Sequence, residues 1–283
     1  MQASAVIDVV APSSPFDPAK FARGIAALRA IGLTPRYDEA IFSKAGHLAG
    51  DDQRRFQELE RALAAPDSQA VILARGGYGL LRLAKLLKPF DKLLIGYSDA
   101  TVLHVLQQQH GKTSIHGPMC TQLGEEPDAL QRLQQLLNGQ TPEPIEFEPD
   151  TAQPGTAEGL LAGGNLATLA SLCGTQLQPN FRDCIVLLED LNEPPYRLDR
   201  LLTQLLESNA LQGARGFVIG DLTAPGEDPG NRVETVAERL LPLDVPLVFN
   251  APFGHAGRNQ PVLFGAPHFL DATEGILSRA AGR

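Results

Sequence analysis

Ser98 occupies a place in the sequence where a side chain can do chemistry, between an apolar segment and a helical one. Residues 93–95 are the apolar end of a predicted strand, and Gly96 permits a tight exit from it. Apolar residues then recur at helical spacing over 102–106, which predicts a helix from about Asp99. A hydroxyl on such a turn stands above a sheet at the positive end of a helix dipole, where backbone N–H groups can stabilise an oxyanion.

The same serine has a structural alternative, because serine is favoured at the N-cap of helices. The local sequence also departs from the G-x-S-x-G pattern of hydrolases, since Ala100 stands at the last position of that pattern. Ser98 is therefore a candidate nucleophile whose assignment depends on the rest of the chain.

A glycine-rich segment, Arg75-Gly76-Gly77-Tyr78-Gly79, follows another predicted strand. It lacks the Lys-Ser/Thr of a phosphate-binding P-loop, and its glycines do not have G-x-G-x-x-G spacing. Glycine lets a backbone approach a reacting centre closely, so a backbone N–H of Gly76 or Gly77, together with that of Asp99, is a candidate oxyanion hole. A plain strand-to-helix turn is the alternative.

A serine nucleophile needs a general base and a group that orients this base. Glu189 lies at the end of an apolar strand, where a carboxylate can orient a histidine; alternatively, it is one of several acidic residues in a surface loop. His255 follows Phe253-Gly254 in a glycine-rich loop. Spacing alone does not choose His255 over His104 or His116 as the base.

Metal and thiol chemistry are both disfavoured. No histidine pair has the i, i+4 spacing of the zinc motif H-E-x-x-H, so we expect no metal and no other cofactor. The three cysteines, Cys120, Cys173 and Cys184, lie in apolar company without metal-ligand spacing. We expect buried free thiols, with Cys120 as a disfavoured alternative nucleophile.

Short apolar strands alternate with amphipathic helices through the first half of the chain. Runs typical of strands at 5–10, 33–37 and 70–74 are separated by helices that begin after Asp17 and near Asp51. This alternation predicts a parallel α/β sheet with right-handed crossovers. Ligands bind at the carboxyl ends of the strands in such sheets, which is where the serine turn and the glycine-rich segment both fall.

The character of the sequence changes after a predicted helix at about 127–138. Residues 139–157 combine glycine, prolines and acidic residues with little apolar periodicity, which predicts a linker. We therefore expect an N-terminal α/β domain over 1–138 and a smaller C-terminal domain over 158–283. The second domain has four predicted strands, at about 184–188, 216–220, 246–250 and 261–265.

Length and composition are typical of a globular protein. The 283 residues suit one large or two moderate domains, and 43% hydrophobic residues are enough for a sizeable core. A net charge of −9 disfavours binding to nucleic acid or to an anionic membrane, both of which need a basic surface. The sequence lacks both a long apolar span and a basic leader ahead of an apolar core, so a cytoplasmic location is expected.

Seven short motifs together resemble the LD-carboxypeptidase family, the serine peptidases typified by the murein tetrapeptide LD-carboxypeptidases. They are Ala11-Pro12-Ser13, Arg75-Gly76-Gly77-Tyr78-Gly79, Gly96-Tyr97-Ser98-Asp99, Gly117-Pro118-Met119, Gly163-Gly164-Asn165-Leu166, Leu188-Glu189-Asp190 through Pro195-Tyr196-Arg197, and Phe253-Gly254-His255. Each motif is weak alone, but seven in the family's order over most of the chain are specific.

The resemblance implies a serine peptidase with a Ser-Glu-His triad. Ser98 matches the nucleophile, Glu189 the carboxylate and His255 the base. The family fold joins an α/β N-terminal domain to a smaller C-terminal α/β domain, with the active site at the junction, and its members are often homodimers. Ser98 would then come from one side of the site, and Glu189 and His255 from the other.

The resemblance also implies a substrate, a murein tetrapeptide that loses its terminal D-alanine at an L,D bond. The oxyanion would rest on a backbone N–H of Gly76 or Gly77 and on that of Asp99. The D-alanine carboxylate needs a cation or a cluster of N–H groups, for which Arg75 is a candidate; a structural ion pair is the alternative role of Arg75.

Three other functions share part of this evidence. A relative from the microcin C self-immunity branch, which cleaves peptidyl or aminoacyl nucleotides, has the same triad and differs in its pocket loops. An α/β-hydrolase esterase shares the Ser…acid…His order, but not the junction between two domains. A non-catalytic binding protein of this fold would not need all three triad residues.

Overall fold

The computed structural model describes residues 5–125, 127–223 and 229–280 of the chain. Residues 1–4, which contribute to the expectation that no leader precedes the domain, lie outside the described residues. The elements of the first half are, in chain order, β1 (Val6–Val10), α1 (Pro18–Ala30), β2 (Thr34–Arg36), α2 (Asp52–Ala64), β3 (Ser68–Leu73), α3 (Leu80–Leu83), β4 (Leu93–Gly96), α4 (Thr101–Gln109), β5 (Ser114–His116) and α5 (Pro127–Leu137). Those of the second half are β6 (Ile145–Glu146), β7 (Asp150–Gln153), β8 (Thr156–Asn165), α6 (Leu166–Leu172), β9 (Cys184–Leu191), α7 (Pro195–Glu207), β10 (Gly216–Thr223), α8 (Pro229–Leu240), β11 (Leu247–Phe249), β12 (Val262–Phe264), β13 (Pro267–Asp271) and β14 (Ile276–Arg279).

The first sheet has six strands in the order β12-β5-β4-β3-β1-β2. Strands β1 to β5 pair in parallel, as the alternation of strand and helix predicts. Strand β12 comes from late in the chain and pairs antiparallel with β5, with Val262 opposite His116. The predicted parallel α/β architecture of the first half is confirmed.

Helix α1 shows how local sequence sets these elements. The Asp17 carboxylate accepts hydrogen bonds from the backbone N–H groups of Ala19 and Lys20, and Pro18 takes the first helical position. Apolar side chains on one face of the helix, including that of Phe21, are buried against the sheet. The cap that the sequence predicts therefore fixes the start of the helix that borders the cleft described below.

The second sheet has eight strands in the order β6-β14-β13-β8-β9-β10-β11-β7. Its centre, β8-β9-β10-β11, is parallel, whereas β13, β14, β6 and β7 join antiparallel. Helices α6 and α7 pack against each other beside β9. Two α/β sheets thus form the fold, in agreement with the predicted class.

The segment 139–157, predicted to be a linker, contains β6 and β7. These strands lie at the two edges of the second sheet. Edge strands are short and tolerate proline and charge, because one side of their backbone is not paired within the sheet. That is why this segment lacks the apolar pattern of a strand, and why its sequence resembles a linker. The division of the chain into domains at this segment stays a prediction.

One continuous apolar core joins the two sheets. Val102 and Leu106 of α4 belong to the same buried cluster as Leu169 of α6, Leu188 of β9 and Leu202 of α7. Helix α4 also packs directly on β8. The helix that follows Ser98 is therefore part of the interface between the sheets. Within the described ranges, none of the helices has the length and apolar character needed to cross a membrane.

Candidate active site

Ser98 lies on a sharp turn directly after β4. Its φ angle is +60°, and residues Ser98–Ala100 form one 3-10 turn before α4 begins at Thr101. Positive φ is strained for a residue with a side chain, and such strain is typical of functional turns. The turn also needs small neighbours, because a Cβ atom on Gly96 would lie 3.0 Å from that of Ala100. The N-cap alternative is wrong, since neither the turn nor α4 has a side-chain cap.

The glycine-rich segment between β3 and α3 lies directly against this serine. A Cβ atom on Gly76 would lie 3.0 Å from the Cβ and 3.1 Å from the Oγ of Ser98. Ser14 holds the segment in place: its N–H donates to the Gly76 carbonyl at 3.2 Å, and its Oγ accepts from the N–H of Tyr78 at 3.1 Å. Gly77 has φ +95° and no room for a side chain beside Ser14. Close backbone approach to Ser98 is thus built into the segment.

Gly76→Ala should lower kcat by about 10- to 100-fold, because a shift of well under 1 Å at Ser98 misplaces an attacking oxygen. Steady-state kinetics on the substrate proposed below measure this effect. Gly216→Ala, in β10, is a matched control. Its new Cβ would also meet neighbouring atoms at 3.2–3.3 Å, but Gly216 is not among the residues that line the cleft. Equal kcat losses in the two variants would contradict a special role for Gly76.

The Asp99 side chain ties three segments together beneath the serine. It is 3% exposed, and its Oδ2 accepts hydrogen bonds from the Ser13 hydroxyl at 2.6 Å and from the Leu80 N–H at 2.9 Å. Burial raises the pKa of this carboxyl to about 6, although both hydrogen bonds act in the opposite direction. The Ala11-Pro12-Ser13 motif is thus connected to the serine turn through a buried carboxylate.

His255 and Glu189 form a hydrogen-bonded pair. Nδ1 of His255 lies 2.7 Å from Oε2 of Glu189, whose side chain is fully buried, whereas the imidazole is 17% exposed. Burial alone would lower the pKa of His255, but the hydrogen bond to Glu189 and the charges of Glu189, Asp190 and Asp221 outweigh it and raise the pKa. The Tyr97 ring packs against the imidazole at 4.7 Å between ring centroids.

The alternative bases and the alternative nucleophile are buried away from solvent. Both ring nitrogens of His104 have partners, Ser114 Oγ at 2.7 Å and Gly96 O at 2.9 Å, and burial lowers the pKa of His104 to about 4. Burial likewise lowers the pKa of His116, which is fully buried. Burial raises the pKa of the Cys120 thiol to about 12, so this thiol stays protonated.

A cleft of about 560 Å³ collects side chains from both sheets. The residues that line it include five of the predicted site residues, Arg75, Gly76, Gly77, Ser98 and His255. Glu189 lies behind the imidazole, and the Asp99 side chain lies beneath the turn. Within the described residues, the Ser98 hydroxyl has no hydrogen-bond partner, which leaves it available to a ligand or to His255. Among those residues no group of three or more His, Cys, Asp or Glu side chains is arranged to hold a metal ion.

Arg75 lies at the edge of the cleft. Its side chain is exposed, and Nη1 donates to the Pro15 carbonyl at 2.7 Å. No ion pair of Arg75 is present among the described residues, so the structural alternative for this residue is a backbone contact rather than a salt bridge. The guanidinium therefore has no ion-pair partner among the described residues, although the carboxylates of Asp17 and Asp190 line the same cleft.

Sequence reasoning missed other residues of the cleft. Lys20, in the first turn of α1, adds a second cation to the lining of the cleft. Asp190 also lines the cleft. Its carboxylate accepts hydrogen bonds from Asn165 Nδ2 at 3.1 Å and from the Ala167 N–H at 2.8 Å, and burial raises its pKa to about 6. The motif beside Glu189 pointed to Asp190, whereas nothing local in the sequence pointed to Lys20.

The two-sheet fold is similar to that of a solved carboxypeptidase. The crystal structure of muramoyltetrapeptide carboxypeptidase from Oxalobacter formigenes is 28% identical, with a TM-score of 0.79 over 96% of this chain and 97% of that one. The murein tetrapeptide carboxypeptidase of Pseudomonas aeruginosa is 31% identical, over 94% of this chain and 92% of its own length.

This chain belongs to the LD-carboxypeptidase family: the family's N-terminal domain matches residues 7–117 and its C-terminal domain matches residues 158–270. The fold extends to more distant proteins. An MccF-like protein from Bacillus anthracis superposes with a TM-score of 0.87 at 22% identity, over 99% of this chain and 98% of that one. This second likeness shows a common fold.

Proposed function

We propose that the protein is a serine carboxypeptidase that releases the terminal D-alanine from the L,D bond of murein tetrapeptides. The observation that carries the proposal is that His255, hydrogen-bonded to Glu189, lines the same cleft as Ser98, whose hydroxyl has no partner among the described residues. Family membership supports peptide hydrolysis, and the relative from Pseudomonas aeruginosa, named for murein tetrapeptides, supports the substrate class.

The proposed mechanism follows from the hydrogen bonds of His255. Because Nδ1 faces the Glu189 carboxylate, the neutral imidazole carries its proton on Nδ1 and offers Nε2 as a base. Nε2 takes the Ser98 proton as Oγ attacks the carbonyl carbon of the L,D bond. The resulting imidazolium, stabilised by Glu189, then protonates the nitrogen of the leaving D-alanine. A water molecule, deprotonated by Nε2, attacks the acyl-enzyme, and Ser98 recovers its proton.

The oxyanion of each tetrahedral intermediate would rest on backbone N–H groups. Gly76 or Gly77 supplies one donor, because this segment approaches Ser98 so closely, and Asp99 supplies the second from the start of the helical turn. Removing one such donor typically costs at least about 100-fold in rate. The buried carboxylate of Asp99 binds Ser13 and the N–H of Leu80, and this fixes the glycine-rich segment relative to the serine turn.

Recognition of the leaving group falls to the cations of the cleft. Arg75 and Lys20 both line the cleft, and Arg75 has no carboxylate partner in the described structure. A terminal carboxylate placed there would pair with a guanidinium in the geometry that arginine favours. With this substrate we propose a role in peptidoglycan recycling in the cytoplasm, and the family resemblance adds a homodimer to the proposal.

We expect the purified protein to remove one alanine from a disaccharide tetrapeptide, as detected by mass spectrometry. The same tetrapeptide with an amidated C-terminus is the matched control, and it should react at least about tenfold more slowly because the cations lose their anionic partner. An unchanged tetrapeptide would contradict the substrate, and an aminoacyl nucleotide conjugate would then be tested. Equal hydrolysis of the amide would contradict carboxylate recognition.

A further inference from the structure

One of the sequence motifs contacts the start of α4 across the interface between the sheets. The N–H of Asn165, at the end of β8, donates to Oγ1 of Thr101 at 3.0 Å. Thr101 is fully buried and Asn165 is 7% exposed, so this hydrogen bond is shielded from solvent. It is a direct polar contact between the residue that follows the serine turn and the Gly163-Gly164-Asn165 motif. The proposed chemistry does not use this contact.

Thr101 is held close to Ser98. It is the first residue of α4, and its backbone N–H donates to the carbonyls of Ser98 and Asp99. A displacement of Thr101 therefore moves the turn that carries the Ser98 hydroxyl.

Asn165 is held equally closely to Glu189. The two residues are direct partners in the parallel pairing of β8 with β9. Glu189 in turn binds His255, so the Asn165 N–H is one strand away from the carboxylate that orients the imidazole. A short series of contacts thus connects the serine on the first sheet with the histidine and glutamate of the second.

The two glycines of the motif make this close contact sterically possible. A Cβ atom on Gly164 would lie 2.5 Å from Oγ1 of Thr101, and one on Gly163 would lie 1.9 Å from the carbonyl oxygen of Leu187. Both glycines have φ near +130°, a conformation that residues with side chains rarely adopt. The motif therefore brings β8 against α4 on one side and β9 on the other.

We propose that Thr101 is a positioning residue that sets the distance between Ser98 and the His255–Glu189 pair. This role rests on the proposed function, because it presupposes that the three residues react together. The hydroxyl is the essential group: it accepts the buried N–H of Asn165, whereas a methyl group in its place leaves that N–H unsatisfied and pushes the strand away. Thr101 is fully buried and is not among the residues that line the cleft, so this role is one of positioning and not of contact with the substrate.

The test compares Thr101→Val, which keeps the shape of the side chain and removes the acceptor, with Thr101→Ser, which keeps the acceptor. We expect Thr101→Val to lower kcat by about 10- to 100-fold, with KM within about twofold of wild type, because displaced reacting groups slow the chemical step. Thr101→Ser should retain kcat within about threefold. The pH profile should not shift in Thr101→Val, because the His255–Glu189 hydrogen bond is intact.

Thr151→Val is the matched control for loss of a threonine hydrogen bond. Its hydroxyl donates to the Ala272 carbonyl at 2.8 Å at the edge of the second sheet. Equal kcat in Thr101→Val and Thr151→Val would overturn the positioning role, as would a rise in KM without a fall in kcat. In either case, inactivity of Ser98→Ala beside an active wild type would leave the proposed function standing.

A fluorophosphonate that labels reactive serines gives a readout independent of the peptide. Slower labelling of Ser98 in Thr101→Val than in Thr151→Val would support the positioning role even if the tetrapeptide is not the substrate. Absence of labelling at Ser98 in the wild-type protein, together with peptide hydrolysis that survives in Ser98→Ala, would overturn both the proposed function and the positioning role.

Discussion

Ser98→Ala should reduce hydrolysis of the tetrapeptide by at least about 10⁴-fold, since removal of a nucleophile that acts in concert with its base removes nearly all covalent catalysis. The fold should be unaffected. The hydroxyl has no hydrogen-bond partner in the described structure, and alanine at φ +60° experiences the same backbone strain as serine. Mass spectrometry of the released alanine measures the loss of activity, and a thermal unfolding curve measures whether the fold is retained.

Ser171→Ala is the matched control. Ser171 lies exposed on α6, where its hydroxyl donates to the Ala167 carbonyl at 2.8 Å, and this variant should keep full activity. A Ser98→Ala protein that folds and still hydrolyses the tetrapeptide at more than about a hundredth of the wild-type rate would remove Ser98 from the mechanism. The base and carboxylate would then need another nucleophile, and Cys120 is too deeply buried for that role.

Glu189→Gln should lower kcat by about 10⁴-fold, the size of the effect when an amide replaces the carboxylate of a catalytic triad. An amide N–H facing Nδ1 favours the tautomer with the proton on Nε2, and that tautomer has no base to offer Ser98. Glu193→Gln is the matched control, because Glu193 pairs with Arg197 at 2.7 Å instead of with a histidine. Similar losses in both variants would contradict the orienting role of Glu189.

The pH dependence of activity should also change in Glu189→Gln, and in a defined direction. His255 must be neutral to act as a base, so activity rises with pH through its pKa, which Glu189 helps to raise above the ordinary value of 6.5. Without the carboxylate, burial dominates and the pKa falls, so the acid limb of the residual activity should move to lower pH. The pH profile of kcat/KM measures this shift, and a shift to higher pH would contradict the assigned pair.

The same raised pKa affects stability. The folded protein holds the proton on His255 more tightly than the unfolded chain does, so this group stabilises the fold below about pH 6.5. The contribution is lost as the pH rises through the folded-state pKa. In Glu189→Gln burial lowers the folded-state pKa, so this stabilisation at low pH should be lost, as denaturant titrations on either side of pH 6.5 would measure.

Local sequence patterns were sufficient for the parallel part of the fold. The apolar runs of β3 and β4, and the Asp17-Pro18 start of α1, are set by residues close in sequence. The edge strands β6 and β7 were missed because their residues are polar, and the antiparallel hairpin of β13 and β14 was not predicted either. Strands β6 and β7 pair with β14 and β11, which lie far along the chain, so their pairing leaves no local pattern; β13 and β14 are neighbours in sequence, and the hairpin was missed for lack of a recognised turn between them.

In the candidate site, too, some residues were identified by short motifs and others only by the three-dimensional fold. Short motifs marked Ser98 and Gly76, because a strained turn and a close backbone approach need particular residues at adjacent positions. The choice among His255, His104 and His116 depended on which imidazole the fold places beside a carboxylate and which two it buries. Spacing along the chain contains no information on that point, so the assignment of the base came from the resemblance.

The antiparallel strand β12 has a consequence for how the chain folds during synthesis. Residues of β12 complete the first sheet beside β5, yet they are made about 150 residues later, after most of the second sheet. Until β12 leaves the ribosome, the backbone of Ser114–His116 is an open sheet edge able to pair with another nascent chain. A protein truncated before Val262 should therefore aggregate, even though it contains all three proposed triad residues.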